Sequence, residues 1–143
     1  MKKPLTEQQL SSLKEHSKEG RAYWQSGKIA LAEEQLLLAW SIIPEPKKEY
    51  DYAQSLSRGL VIFYRDVKNY EKAKSWIPVM ADMYGAASDP SVQLLAGTVH
   101  FDAEEFELAY ALFKSLYDSF GKRPFQGEEK KYLEFLKARL KEK

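Results

Sequence analysis

One apolar stripe occurs three times along the chain. Ile29, Ala32, Leu36, Ala39 and Ile43 fall at offsets 0, 3, 7, 10 and 14, the spacing of one helix face. Tyr70, Ala73, Ile77, Met80 and Tyr84 repeat those offsets, as do Phe106, Ala109, Phe113, Leu116 and Phe120. Alanine holds the second place in every copy, where a larger side chain would hold two crossing helices apart. The register makes Ala32, Ala73 and Ala109 equivalent, 41 and then 36 residues apart. The longer first step predicts an insertion, which Pro44-Glu45-Pro46-Lys47-Lys48 supplies, because a helix does not continue through such a segment.

Local signals set the remaining elements. Thr6-Glu7-Gln8-Gln9 fits a capping box, so a first helix is expected from residue 6 or 7 to Gln25, with Leu10, Leu13 and Tyr23 facing its partner. Gly27 makes the next turn. A helix is expected from about Lys48 to Asp66, packing through Ala53, Leu60, Val61 and Tyr64. Asn69 caps the next one, which carries Pro78 inside it and ends at Gly85. Asp89-Pro90 opens a helix to about Phe101. Gly121 and Pro124 close the third striped helix, and a last helix is expected from about Gln126 to Glu142. Its Tyr132, Leu133, Leu136 and Leu140 share one side, and Lys130, Lys131, Glu134, Lys137 and Lys141 the other.

Gly20, Tyr23, Gly27, Ile29, Ala32, Leu36, Ala39 and Pro44 resemble the signature of a tetratricopeptide repeat (TPR), a helix–turn–helix unit of about 34 residues. Ile29 and Leu36 stand where the family has aromatics. The resemblance implies an all-α fold, a right-handed α-α superhelix of about seven helices in one domain over residues 1–143. Repeat 1 is expected at about 13–46, the insertion at 45–52, repeat 2 at 54–87, repeat 3 at 90–123 and a cap helix at 126–142. Two bulky family positions are His16 and Glu19 here, which predicts a first helix displaced, or broken near His16, in its N-terminal half.

Composition narrows the chemistry. The chain has no cysteine, which excludes disulfides, thiolate zinc sites and cysteine nucleophiles. Net charge is +1, spread as +3 over residues 1–28, −2 over 29–66, −4 over 67–120 and +4 over 121–143. That is too weak and too scattered for nucleic-acid binding. No apolar run is long enough to span a membrane, and the N-terminal stretch does not read as a signal peptide. A cytoplasmic protein is the expectation. His16 and His100 are the only histidines, and no metal, phosphate-loop or nucleophile motif accompanies them. His100 is expected as a hydrogen-bonded, partly buried side chain. Asp102, Glu104, Glu105 and Glu107 read as carboxylates suited to a helix N-terminus rather than as a calcium loop. No cofactor, metal or catalytic residue is expected.

The resemblance also implies where a partner would lie, in a groove lined by the first helix of each repeat. Repeat 1 would place Lys14, Ser17, Arg21, Trp24 and Gln25 there. Repeat 2 would place Ser55, Arg58, Ile62, Arg65 and Asp66, and repeat 3 Ser91, Leu94, Thr98, Phe101 and Asp102. Arginine beside Trp24 and Phe101 suits a protein segment carrying carboxylates and an apolar side chain. Competing readings seat Trp24 against the N-terminal segment, lay Phe101 over Tyr132 and Phe135, and leave Arg65–Asp66 as a solvated pair. The co-chaperone carboxylate clamp is excluded, because its positions hold Ser17, Arg21, Gly59, Ser91 and Leu95. A non-enzymatic scaffold that binds a polypeptide is the leading expectation. A secretion chaperone or a toxin-neutralising immunity protein are its narrower forms, and a homo-oligomeric module built on Trp40, Trp76 or exposed tyrosines is the alternative.

Overall fold

The computed structural model describes residues 2–142. It contains seven α-helices and no strand among those residues: α1 (Glu7–Gln25), α2 (Ile29–Ile42), α3 (Ala53–Asp66), α4 (Tyr70–Tyr84), α5 (Pro90–Asp102), α6 (Phe106–Phe120) and α7 (Lys130–Lys141). The fold is all-α. Short 3-10 turns at Lys47–Glu49 and Arg123–Phe125 break the α2–α3 and α6–α7 connections. Among the described residues, no helix is long and apolar enough to cross a membrane.

The three helix-to-helix turns that precede α2, α4 and α6 are copies of one another. Gly27, Lys68 and Glu104 adopt left-handed backbone, with φ of 77°, 65° and 64°. The residue after each is Lys28, Asn69 or Glu105, whose φ/ψ are −90°/75°, −94°/74° and −92°/67°. The N–H of that residue donates to a carbonyl five back, on Tyr23 (2.9 Å), Tyr64 (2.8 Å) or His100 (2.8 Å). The N–H of Gly27, Lys68 and Glu104 donates three back, to Trp24, Arg65 and Phe101. This is the Schellman pattern, which satisfies the orphan carbonyls at a helix C-terminus. The turns step by 41 and 36 residues, as the alanines do. Local backbone geometry and side-chain pattern therefore repeat in one register, and Ala32, Ala73 and Ala109 are all fully buried. The first stripe is exposed at its start, at Ile29, and the third at both ends, at Phe106 and Phe120.

Other caps follow local chemistry. Both halves of the Thr6–Gln9 capping box form. The Asn69 side chain accepts from Lys72 N–H, and the Asp89 side chain from Ser91 N–H. Gly85 ends α4 in left-handed backbone. Three expectations need correction. α1 is continuous through His16, whose Nδ1 lies 2.6 Å from Gln35 Oε1 on α2; a polar contact takes the place of the apolar one. α3 begins at Ala53 rather than near Lys48. The segment before it pairs with the N-terminal stretch at Lys3: Lys3 N–H donates to Glu49 O (2.7 Å) and Asp51 N–H to Lys3 O (3.0 Å). Lys47 Nζ meanwhile donates to the carbonyls of Ile43 (2.6 Å) and Trp40 (3.1 Å) at the end of α2. α7 begins at Lys130 rather than Gln126, because Gly127 turns with φ of 89°.

The chain divides into two compact units, Met1–Leu60 and Val61–Lys143. In the first, α1 packs on α2. Gly20 permits the close approach, since a Cβ there would lie 2.8 Å from Leu36 Cδ2. Leu13, Ala32, Ala39, Ile43 and Ala53 are buried in this unit. In the second, α5 packs on α4 and α6, and α6 on α7. Its core joins Ala109, Phe113, Leu116, Phe125, Tyr132 and Leu136, with Leu94, Phe101 and Phe135 packed against it. Gly97 plays the part of Gly20 here, for its α-carbon faces the Phe113 ring.

Candidate functional site

Within the first unit, α1 and the start of α3 stand apart and leave a cleft of about 560 Å³. α1 contributes Leu13, Lys14, Ser17, Lys18, Arg21 and Trp24; α2 contributes Leu36; Tyr52, Ser55, Leu56, Gly59 and Leu60 close the far side. The floor is apolar because Leu36, close over Gly20, lines the cleft together with Leu13, Leu56 and Leu60. The rim on α1 is basic. Lys14, Lys18 and Arg21 fall at offsets 0, 4 and 7, one helical stripe. Tyr52 stands on the opposite rim with φ of 75° and is exposed. No Asp or Glu lines the cleft.

Of the residues expected to form a groove, the cleft gathers Arg21 and Trp24, with Lys14, Ser17 and Ser55 beside them. Gln25 shares a neighbouring depression of about 320 Å³ with Arg21 and Trp24. Arg58 is exposed on α3 outside the cleft lining. The cleft residues not anticipated are Leu13, Lys18, Leu36, Tyr52, Leu56, Gly59 and Leu60. Tyr52, Ser55, Leu56 and Gly59 do carry a readable signal, a 0, 3, 4, 7 stripe, once the helix is known to begin at Ala53.

The second unit uses its share of the expected residues differently. Arg65 Nε donates to Asp66 Oδ1 (2.8 Å), and its Nη1 donates to Thr98 Oγ1 (2.8 Å). Its side chain is only 13% exposed while that of Asp66 is 41% exposed, so solvent reaches the aspartate end of the pair and little of the arginine. Asp102, 15% exposed, lies 3.9 Å from Arg65 Nε and 3.4 Å from Lys131 Nζ, and accepts from the Tyr132 hydroxyl at 3.0 Å. Burial, then the Asp102 charge, push the Tyr132 phenol well above its ordinary value. Thr98 is fully buried. Phe101 sits edge-to-face with Tyr132 (5.3 Å) and Phe135 (5.0 Å). Leu94 packs on the core, and Ile62 is half-buried. Arg65, Thr98 and Phe101 thus serve the interior of this unit. Arg65, Asp66, Phe101 and Asp102 also line a shallow depression of about 490 Å³, whose rims are of mixed charge, from Lys68 and Lys131 to Glu104 and Glu129.

The acidic cluster is also spent internally. Glu105 lies 2.7 Å from His100 Nδ1 and 2.9 Å from Lys74 Nζ. The His100 hydrogen bond, then Lys74, hold its carboxyl below the ordinary glutamate range. Glu105 stands at the N-cap of α6 and Glu107 in its first turn, the placement expected of them, although the Glu105 side chain makes no cap hydrogen bond. Glu107 pairs with Arg139 at 2.8 Å. No group of three or more His, Cys, Asp or Glu side chains poised for a metal occurs among the described residues.

No protein-family model, curated protein or solved structure matches the chain.

Proposed function

We propose that the chain is a non-enzymatic helical-repeat module of the tetratricopeptide type that holds a segment of another protein in the first-unit cleft. The observation that carries this reading is the cleft itself, a preformed concavity with an apolar floor and a polar rim. Its volume of about 560 Å³ lies within the range of specific ligand sites. Arg21, Trp24 and Tyr52 at its edge are the residue types that anchor interfaces, because each buries large area and keeps a polar contact. The recurrent turn supports the repeat assignment, since one local geometry returns at three places in the same register as the buried alanines.

Gly59 offers a clean test. It lines the cleft, and a Cβ built on it meets no heavy atom within 4 Å. Gly59→Leu therefore fills the cleft while improving the helical propensity of α3. A displayed random-peptide library selected against the full chain is expected to yield binders that Gly59→Leu, folded by circular dichroism, releases. A selection that enriches no peptide overturns the binding role. Binders held equally by Gly59→Leu remove the cleft as the site.

A further inference from the structure

We infer that the first-unit cleft selects a segment whose side-chain carboxylates accompany bulky apolar residues, and that the Ser17 hydroxyl donates to one of those carboxylates. The inference rests on the peptide-holding role proposed above and names the chemistry of its partner.

Charge is the first support. Three cations and no carboxylate line the cleft, although the chain as a whole is nearly balanced. Several basic side chains elsewhere do meet a carboxylate: Lys3 meets Glu49 (2.9 Å), Lys74 Glu105 (2.9 Å), Lys114 Asp118 (2.7 Å) and Arg139 Glu107 (2.8 Å). Lys14, Lys18 and Arg21 stand outside these pairs. They run along about 10 Å of α1, directly above leucines. A partner that satisfies both features carries acidic groups on one side and apolar groups on the other.

Ser17 is the second, independent support. Five helical hydroxyls in this chain turn back on their own backbone: Ser41, Ser55, Ser57, Ser75 and Thr98 each donate to the carbonyl three residues earlier. Ser57 and Thr98, both fully buried, are satisfied in this way. Ser17 is 8% exposed, and its Oγ has no hydrogen-bond partner. A buried hydroxyl left unpaired disfavours the free protein. Ser17 lies on the cleft wall between Lys14, three residues before it, and Arg21, four after it. A carboxylate drawn to those cations meets a donor that lacks an acceptor, once the long basic side chains move aside to admit it.

The test uses the full chain and three helical peptides of about 15 residues, acetylated and amidated so that side chains alone carry charge. They share one leucine face and carry Glu, Gln or Lys at the positions flanking it. By fluorescence anisotropy at low salt, the Glu peptide is expected to bind about tenfold more tightly than the Gln peptide. That advantage shrinks as salt rises. Lys18→Glu/Arg21→Glu is expected to reverse the preference toward the Lys peptide. Ser17→Ala is expected to weaken the Glu peptide about fivefold and leave the Gln peptide unchanged. Its thermal midpoint should hold or rise, because the unpaired hydroxyl is gone; a merely structural serine would move stability and not the Glu-over-Gln ratio. Equal binding of all three peptides overturns the inference and leaves the peptide-holding role standing. Failure of all three overturns the inference while library-selected peptides still bind, and overturns both readings if none does. An unchanged Glu-over-Gln ratio in Ser17→Ala removes Ser17 from the site.

Discussion

Three helical glycines provide a graded test of the packing. At Gly97, an added Cβ would lie 2.8 Å from Phe113 Cδ1, well inside the 3.5–4.0 Å at which carbons pack. Phe113 cannot yield easily. It is fully buried, with Phe125, Tyr132 and Phe135 rings at 5.5, 5.8 and 6.4 Å. Overpacking against so confined a ring costs about 3 kcal/mol, the upper end of the usual range. Alanine recovers about 1 kcal/mol of helical propensity. The net loss for Gly97→Ala is about 2 kcal/mol, a fall of about 5–8 °C in thermal midpoint for a chain of this size. At Gly20 the same methyl meets Leu36 Cδ2 at 2.8 Å, but Leu36 is only partly buried and can turn into the cleft. Gly20→Ala should therefore cost about 1 kcal/mol or less. At Gly59 nothing lies within 4 Å, and alanine should gain about 1 kcal/mol. Urea and thermal unfolding followed by circular dichroism measure all three. A Gly97→Ala protein that melts at or above the wild type, or a Gly59→Ala protein that loses as much, refutes the reasoning.

The repeated turns make a second prediction. Lys68 and Glu104 hold left-handed backbone that L side chains disfavour, so Lys68→Gly and Glu104→Gly should each stabilise by about 1 kcal/mol, and Gly27→Ala should destabilise by a similar amount; equal urea midpoints for all three variants would contradict the turn assignment. The third concerns pH. The Glu105 carboxyl is held below its ordinary 4.5 by His100 and then Lys74, so the unfolded chain binds its proton first as pH falls. Its stabilisation is complete above pH 4.5 and fades as pH drops through the lowered folded value. Glu105→Gln should flatten that part of the stability–pH curve, and an unchanged acid limb in urea titrations at stepped pH would exclude the Glu105 contacts as its source.

What the sequence determined by itself was local. The stripe with alanine in second place, Gly27, the Thr6 capping box and the Asp89-Pro90 start each act within a few residues, through backbone conformation and near-neighbour hydrogen bonds. Helices, their register and their ends could therefore be read from spacing. Of the two misplaced helix starts, that of α7 was local, at the Gly127 turn, and that of α3 was set from a distance. α3 starts late because Lys3 claims the backbone of Glu49 and Asp51, and no local signal announces a partner so far away in the chain. The groove residues divide in the same way. Arg21 and Trp24 line the cleft because it is built on their own helix. Arg65 and Phe101 have groove-like spacing, but Asp102, Tyr132 and Phe135 engage them from within the chain, and Thr98 is fully buried. Only tertiary structure decides whether an arginine or a phenylalanine faces a partner or its own core, because burial and counter-charge depend on which distant helices meet it.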